Sequence, residues 1–455
     1  MNVKKNIYFI GIGGIGMSAL ARFFHAKGHH VAGYDKSDSH LIRELMAEGI
    51  EVILEDKIDL LPAYLNPSDT LVIRTPAVPL DAVILSHVKE AGFELIKRSE
   101  LLAIVSQGMR SIAVAGTHGK TTTSSMIAHI LTHSGFGCNA FIGGVMTGYN
   151  TNVLIDAASK FMVLEADEFD RSFHHLKPEL AVITSLDPDH LDIYETEENF
   201  SLAFQTFAGG VQSAGTLFCH DAIPFFPIST NQRSYGLDDA VFKACNIQIN
   251  DGAYHFDLIH PKGKVNDLVL HMPGRHNVTN ATAACAVALS LEIPDVKIRQ
   301  ALDAYEGVQR RFQFHQHGPV VQLIDDYAHH PSEIRASINA ARELFPDKKL
   351  TVAFQPHLFT RTRDFLDGFA DSLSLADEVV LVPIYPAREK PIPGVTSEEI
   401  LKRMSLTNKI LCTKEELPTH FATRELEVLL ILGAGDIDRT IPLINSVLSK
   451  RNLGQ

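Results

Sequence analysis

Cysteine and tryptophan are scarce in this 455-residue chain, which has five cysteines and no tryptophan. The cysteines are scattered and odd in number, without the close pairs of a zinc site, so we expect reduced thiols rather than a disulfide framework. No run approaches the roughly 20 consecutive apolar residues that cross a bilayer. Residues Met1–Phe9 also lack the successive charged, apolar and small-residue segments of a secretory signal. These absences predict a cytoplasmic protein with no membrane insertion.

Positive charge is also in deficit, because 41 lysines and arginines face 54 aspartates and glutamates, a formal net charge of −13. Such a surface repels the phosphate backbone, so nucleic acid is excluded as a partner. An anionic substrate must therefore be held by local basic side chains, glycine-loop amides or bound cations.

Short apolar runs, glycine-rich turns and amphipathic segments alternate along the chain, a pattern typical of mainly parallel sheets flanked by helices. The pattern begins near Ile7 and restarts after Gly108 and near Val320. We therefore predict an α/β protein of three domains, over residues 1–107, 108–312 and 313–455. Between Gly215 and Met272, shorter alternating runs and a turn at Asn250, Asp251 and Gly252 predict a small antiparallel sheet attached to the central domain.

The first glycine-rich loop joins a predicted strand to a predicted helix and follows the pattern G-x-G-x-x-G. Its candidate binding residues are Gly11, Gly13, Gly14, Ile15 and Gly16. Bare backbone and helix amides at such a turn can hold a pyrophosphate. Asp35 ends the next predicted strand, where an acid can bind a ribose hydroxyl. The loop alone leaves NAD, a UDP-sugar and a turn without a ligand as alternatives.

A second loop follows the apolar strand Ser111 to Ala115 and has the composition of a phosphate-binding loop. It comprises Gly116, Thr117, His118, Gly119, Lys120, Thr121 and Thr122. Its glycines expose amides, Lys120 supplies a charge for the β- and γ-phosphates, and the Thr121 hydroxyl can ligate magnesium. The loop is a variant, because the common spacing would place its first glycine at Val114.

Two further predicted strands end in candidate magnesium ligands, at Glu165 to Glu168 and at Asp187 to His190. Ligands gather at the carboxyl ends of parallel strands, so these side chains could reach the phosphates held by Lys120. We predict Glu165 and His190 as the metal-binding pair. The alternative is that the acids only cap the following helices or face solvent.

At this point the chain resembles the Mur ligase superfamily, whose members join amino acids to UDP-N-acetylmuramate using ATP. The resemblance covers essentially the whole length and rests on an ordered set of motifs. Besides the two loops these are Glu165–Glu168, Asp189–Asp192, Gly274–Ala281, Arg310–Phe312, Asp325–Pro331 and Phe354–His357. It implies a Rossmann-like UDP-substrate domain, a P-loop-type ATP domain with the small antiparallel sheet, and a Rossmann-like amino-acid-binding domain.

Within the superfamily, the first loop and the segment Asp167 to Tyr194 resemble the branch that adds L-alanine. The later-acting branches often use a carbamylated lysine near the metals, and this chain has no lysine between Lys177 and Lys243. The branch that adds a recycled murein tripeptide stays open as an alternative. The resemblance thus implies UDP-N-acetylmuramate, L-alanine and ATP as substrates, Mg2+ as the metal, and a monomer or weak homodimer.

The resemblance also implies roles for individual residues. Thr121, Glu165 and His190 would hold magnesium, while His276, Asn277 and Asn280 would surround the adenine. Arg311 would approach the ATP phosphates and Asp326 the ribose. His329 and Arg361 would face the amino acid, with Lys120, Glu165, His190, His329 and Arg361 as the catalytic set. One departure is Leu358, which stands where many relatives have arginine after Gln-Pro-His.

Two other functional classes compete with ligation as explanations of these motifs. A nicotinamide-dependent dehydrogenase explains the first loop and Asp35 but leaves Lys120 and Glu165 without a purpose. A non-catalytic nucleotide switch explains the second loop but not a separate UDP-binding domain.

Overall fold

A computed structural model describes residues 4–76, 78–169, 171–188, 191–228, 230–317, 320–387 and 389–452. The chain divides into two compact units, one of residues 1–246, 256–268 and 279–305, the other of residues 247–255, 269–278 and 306–455. Three sheets with flanking helices account for the regular structure, which confirms the predicted α/β class. The domain boundaries at residues 107/108 and 312/313 stay predictions.

The amino-terminal sheet has five parallel strands in the order β3-β2-β1-β4-β5. Its elements are β1 (Asn6–Ile10), α1 (Ile15–Ala26), β2 (His30–Tyr34), α2 (His40–Ala47), β3 (Glu51–Ile53), β4 (Thr70–Arg74), α3 (Val83–Glu90), β5 (Glu94–Lys97) and α4 (Arg98–Gln107), with a 3-10 turn at Ile58–Leu60. All five residues of the central strand β1 are buried, as expected for a parallel strand covered on both faces.

The second sheet has ten strands in the order β15-β14-β13-β12-β11-β10-β6-β9-β7-β8. Its elements are β6 (Arg110–Ala115), α5 (Lys120–His133), β7 (Asn139–Met146), β8 (Thr151–Leu154), β9 (Phe161–Glu165), β10 (Leu180–Ile183), α6 (Leu191–Tyr194), α7 (Glu197–Gly209), β11 (Thr216–His220), β12 (Asn231–Gly236), β13 (Phe242–Asn250), β14 (Ala253–His260), β15 (Gly263–Leu270), α8 (Arg275–Ser290) and α9 (Asp295–Asp303), with 3-10 turns at Thr147–Tyr149 and Ser172–His175. Strands β10, β6 and β9 are parallel neighbours, so the loops that follow them meet at one edge of the sheet.

The antiparallel part of this sheet is smaller than predicted. Strand β11 pairs in parallel with both β10 and β12, and three successive residues of β11 are buried, which is typical of a parallel strand. The short connections of β13, β14 and β15 require antiparallel neighbours. The predicted turn is confirmed, because Asp251 and Gly252 have φ of 49° and 79°, the positive pair of a type I′ hairpin.

The carboxyl-terminal sheet has six strands in the order β16-β17-β21-β18-β19-β20, parallel except for β16. Its elements are β16 (Gln313–His317), β17 (Gln322–Asp326), α10 (Pro331–Leu344), β18 (Leu350–Phe354), α11 (Phe359–Asp364), α12 (Leu366–Leu373), β19 (Glu378–Leu381), α13 (Ser397–Arg403), β20 (Lys409–Leu411), α14 (Leu417–Ala422), β21 (Val428–Leu432) and α15 (Ile441–Asn452), with a 3-10 turn at Ile437–Thr440. Among the helices of the described ranges, none is long and apolar enough to cross a membrane.

Candidate active site

The first glycine loop is closed by the carboxylate of Asp35. The Gly13 amide donates to Asp35 Oδ2 at 2.9 Å, and the Ser37 amide donates to Oδ1 at 3.0 Å. A Cβ at Gly13 would lie 2.9 Å from the same Oδ2, so a side chain here would displace the Asp35 carboxylate. Gly14 precedes α1, whose first turn contains no acidic side chain. The loop and Asp35 therefore lie together, while their binding of the UDP-substrate stays a prediction.

The second loop is fastened to the loop that follows β10. The Thr117 hydroxyl donates to the Asp187 carbonyl at 2.6 Å, and the His118 amide donates to Ser185 Oγ at 2.8 Å. Gly119 has φ of 79° and leads directly into α5. The result is a hydrogen-bonded turn at a helix amino terminus, the local geometry that binds phosphate.

Lys120 and Thr121 begin α5, and each contacts a different glutamate, one at the end of β9 and one three residues after it. The Thr121 hydroxyl donates to Glu165 Oε2 at 2.9 Å, and the Gly143 amide donates to the same oxygen at 3.0 Å. Lys120 Nζ donates to both carboxylate oxygens of Glu168 at 2.8 Å and to the Gly116 carbonyl at 2.6 Å. The structure therefore brings Lys120, Thr121 and Glu165 close together, while their roles toward ATP and magnesium stay predictions.

Glu168 is the partner that sequence reasoning missed, although it stands in the acidic motif after β9. Its side chain is 1% exposed and that of Lys120 is 14% exposed. Burial raises the pKa of Glu168, and the Lys120 ammonium limits that rise. Burial opposes the charge on Lys120, but the carboxylates of Glu168, Asp167 and Glu165 outweigh it and raise the lysine pKa. Lys120 therefore stays charged at neutral pH, and its ammonium favours the ionised form of Glu168, whose pKa burial raises to about 7.

Oxygen ligands at this edge of the sheet fit a magnesium ion. The Thr121 hydroxyl and the Glu165 carboxylate are hard donors that already lie within hydrogen-bond distance of each other. Magnesium typically takes one or two carboxylates and completes its shell with phosphate and water. The other predicted ligand, His190, lies outside the described residues. Across the described ranges, no group of three or more histidine, cysteine, aspartate or glutamate side chains could hold a metal ion. A magnesium ion here would therefore depend on phosphate and water for the rest of its ligands.

A cavity of about 380 Å3 lies between the first loop and Glu165. Its lining includes Gly14, Ile15, Gly16, Met17, Ala19, Leu20, Thr75, Arg98, Leu102, Phe141, Ile142, Gly143, Glu165 and Asp167. Arg98, at the start of α4, places its guanidinium 3.7 Å from Asp167 Oδ2. The cavity thus joins a helix amino terminus, a cation and the carboxylate next to the phosphate loop. Sequence reasoning did not identify Arg98, since no motif marked it.

Helix α8 carries the three residues predicted to surround adenine. Asn280 accepts a hydrogen bond from the Thr123 hydroxyl of α5 at 3.1 Å, and a Cβ at Gly119 would lie 2.8 Å from its Oδ1. The structure therefore places Asn280 directly against the phosphate loop. In the other unit, Asn277 is buried and donates to the Pro273 carbonyl at 2.6 Å, while His276 is exposed. Adenine binding by these residues stays a prediction.

In the carboxyl-terminal sheet, Asp326 ends β17 and accepts a hydrogen bond from the Ser337 hydroxyl. Burial raises its pKa to about 6, although Ser337 and Arg311 oppose the shift. The Arg311 guanidinium lies 5.1 Å from the centre of the Tyr327 ring. Two residues predicted for the ATP phosphates and ribose thus lie close to each other in the second unit.

His329 and Arg361, predicted to face the amino acid, both lie near His357. His329 Nδ1 is 3.0 Å from the Tyr327 carbonyl and 3.2 Å from Glu333 Oε2. The rings of His329 and His357 lie 6.1 Å apart. Burial lowers the pKa of His357 to about 4, and the charges of His329 and Arg361 add to the effect. Leu358 has φ of 70°, a conformation that favours glycine, and directly precedes α11.

Comparison with known proteins agrees with this arrangement. The chain matches the Mur ligase family, catalytic domain, at residues 6–110, the Mur ligase middle domain at 114–288, and the Mur ligase, glutamate ligase domain, at 310–436. It is 46% identical over 456 residues to the UDP-N-acetylmuramate--L-alanine ligase of Phocaeicola vulgatus, covering 99% of this chain and 100% of that one. It is 47% identical over 444 residues to the protein of that name from Porphyromonas gingivalis, covering 96% and 97%.

Among solved structures, UDP-N-acetylmuramate-alanine ligase from Thermotoga maritima superposes with a TM-score of 0.82 at 28% identity, covering 99% of this chain and 100% of that one. A murein peptide ligase from Psychrobacter arcticus shares the fold at 23% identity and a TM-score of 0.71, covering 98% of each chain. Matches over all three sheets, together with close relatives of nearly equal length, place the whole chain in one group of enzymes. The chain belongs to the Mur ligase family.

Proposed function

We propose that this chain joins L-alanine to the lactyl carboxylate of UDP-N-acetylmuramate and uses ATP, releasing ADP and phosphate. The observation that carries the proposal is the cavity between the first glycine loop and Glu165, beside the phosphate loop. A substrate anchored by its diphosphate at α1 can extend its carboxylate through this cavity toward Lys120. The names of the relatives that are 46% and 47% identical support L-alanine as the amino acid.

The three sheets suggest a division of the work. Residues 1–107 bind the UDP-substrate, 108–312 bind ATP, and 313–455 bind the amino acid. Arg98 faces the cavity and can neutralise an anionic group of the substrate, since a guanidinium suits carboxylate and phosphate alike. We place the reaction in the cytoplasm, since ATP is its energy source and all five cysteines are free thiols.

The first chemical step makes the substrate carboxylate a better electrophile. A carboxylate oxygen attacks the γ-phosphorus, the bond to the β,γ-bridging oxygen breaks, and ADP leaves with that electron pair. Lys120 and the amides of its loop stabilise the charge that spreads over the transferred group. Magnesium, held by Thr121, Glu165 and the predicted His190, would offset the repulsion between the two anions.

The second step forms the amide. The neutral amine of L-alanine attacks the carbonyl carbon of the acyl phosphate, and the tetrahedral intermediate expels phosphate. We assign His329 as the proton acceptor, because contact with the Tyr327 carbonyl keeps the proton on Nδ1 and leaves Nε2 free to accept one. Arg361 would hold the amino-acid carboxylate.

The addition of a recycled tripeptide is the remaining alternative. The murein peptide ligase at 23% identity shares the fold, which does not decide between the two substrates. The contacts of Lys120 and Thr121 argue against a nicotinamide-dependent dehydrogenase, because hydride transfer does not require them.

Phosphate release tests the proposal directly. The enzyme would be supplied with ATP, magnesium and UDP-N-acetylmuramate, and then with L-alanine, glycine, L-serine or a cell-wall tripeptide in turn. Release with L-alanine is expected, and release with the tripeptide alone would favour the recycling alternative. Lys120→Ala should abolish release and spare binding of the UDP-substrate, whereas Lys160→Ala, at an exposed lysine, should match the wild type. Wild-type turnover in Lys120→Ala would remove the phosphate role.

A further inference from the structure

Asn152 is a buried side chain that the proposed chemistry does not use. It lies on β8, at the edge of the ten-stranded sheet, and is 0% exposed. Its Nδ2 donates to the Ile15 carbonyl at 2.5 Å, and its Oδ1 accepts from Arg22 Nη1 at 3.0 Å. A carbonyl can only accept and a guanidinium can only donate, so the two contacts fix the orientation of the amide. Both partners belong to helix α1, which follows the first glycine loop.

Arg22 is itself held in place, so the contact to Asn152 is well defined. Its side chain is 9% exposed and donates to Glu48 at 2.7 Å and to Glu44 at 3.1 Å. The two carboxylates raise the pKa of Arg22 although burial opposes this, so the guanidinium stays charged. A charged, doubly paired arginine leaves Asn152 little freedom to rotate away from Ile15.

The contacts of Asn152 connect the first glycine loop to Glu165, whose carboxylate contacts Thr121 of the phosphate loop. Ile15 is the first residue of α1 and lines the cavity. On the other side, β8 pairs with β7 through Val153 and Phe141, and Gly143 of β7 donates its amide to Glu165 at 3.0 Å. The route from Glu165 to Ile15 therefore runs through one strand pair and one amide side chain.

We propose that Asn152 is a positioning residue, which sets the separation between the amino terminus of α1 and Glu165 so that the substrate carboxylate meets the γ-phosphate. This inference rests on the proposed function, because it assigns the UDP-substrate to α1 and ATP to the phosphate loop. A misplacement of about 1 Å can cost on the order of 100-fold in rate. The effect of Asn152 should therefore fall on kcat rather than on the binding of either substrate.

The chain offers a closely matched control in Asn139. This asparagine is also 0% exposed and lies on the neighbouring strand β7. Its Nδ2 donates to the Asp156 carbonyl at 3.1 Å, and its Oδ1 accepts from the Asp156 amide at 3.1 Å. Both contacts are to the backbone of Asp156, and neither involves a residue of α1. Replacement of either asparagine should cost comparable stability, but only Asn152 should affect positioning.

The experiment compares Asn152→Ala, Asn152→Asp and Asn139→Ala with the wild type. The aspartate is nearly isosteric and can still accept from Arg22, but it sets an oxygen against the Ile15 carbonyl. Both Asn152 variants should lower kcat for phosphate release by about 10- to 100-fold. Their KM for ATP and their Kd for UDP-N-acetylmuramate, measured by calorimetry, should change by less than about threefold. Asn139→Ala should keep kcat within about threefold of the wild type.

Three outcomes would overturn the inference. One is a wild-type kcat in both Asn152 variants, and the second is an equal loss of kcat in Asn139→Ala at equal thermal stability. The third is loss of UDP-substrate affinity with kcat retained, which would give Asn152 a role in loop integrity alone. If Asn152→Ala does not fold, Asn152→Asp carries the test. Absence of phosphate release by the wild type would instead refute the proposed function.

Discussion

The buried pair between Lys120 and Glu168 makes a quantitative prediction about stability and its dependence on nucleotide. The change is Glu168→Gln, which keeps the shape of the side chain but removes its charge. Loss of one partner leaves the other charge buried, which typically costs about 3–5 kcal/mol. We expect the lower end of about 3 kcal/mol, because Lys120 is 14% exposed and also donates to the Gly116 carbonyl.

Nucleotide should restore much of this loss. The β- and γ-phosphates of ATP would supply the anion that Glu168→Gln lacks, so the ligand binds a protein with an unpaired ammonium. In the wild type, the same phosphates compete with Glu168 for Lys120. Since a ligand that binds the folded state stabilises it more the more tightly it binds, ATP should raise the melting temperature of the variant by more than that of the wild type.

Calorimetric unfolding with and without a non-hydrolysable ATP analogue measures both effects. A loss of about 3 kcal/mol corresponds to a fall of roughly 5 °C in the melting temperature of a unit as large as the first one. Asp167→Asn is the control, because it makes the same charge change one residue away in a side chain that is 43% exposed and 3.7 Å from Arg98. Such an exposed pair contributes under about 1 kcal/mol. Equal melting temperatures and equal nucleotide shifts for Glu168→Gln and the wild type would refute the reasoning.

Two further predictions concern the outer parts of the site. Gly13→Ala should weaken the binding of UDP-N-acetylmuramate, measured by calorimetry, because the new Cβ would lie 2.9 Å from Asp35 Oδ2. The KM for ATP should not change. Gly108→Ala is the control and should leave both quantities unchanged, because a Cβ at Gly108 would meet no atom within 4 Å. Asp326→Asn should stabilise the protein at pH 8 but not at pH 4. The raised pKa of about 6 means that ionisation of the buried carboxylate removes stability as pH rises from about 4 to 6. The unfolding midpoints of Asp326→Asn and the wild type should therefore differ at pH 8 and become equal near pH 4. A difference that stays constant over this range would contradict the raised pKa of Asp326.

The sequence was sufficient for the parts of the site that are local in the chain. The first loop, its acid and the strand between them lie within residues 11–35, and the amide of Gly13 does donate to Asp35. The contact of Thr121 with Glu165 spans 44 residues, yet it could be predicted, because both follow parallel strands whose carboxyl ends meet at one edge. The pattern of apolar runs, the composition of the loops and the rule that ligands gather at the carboxyl ends of parallel strands therefore predict much of the fold and the centre of the site.

The same rules could not choose among side chains that share an edge. Glu165 ends β9 and Glu168 lies three residues later, and only the path of the chain after the strand decides that Glu168 contacts Lys120 while Glu165 contacts Thr121. The contact of Asn152 with Ile15 spans 137 residues and joins an edge strand to a helix that packs on another sheet. A lone asparagine in a short strand carries no pattern that predicts such a contact. Packing between elements, which periodicity does not encode, therefore determines the geometry on which the reaction depends.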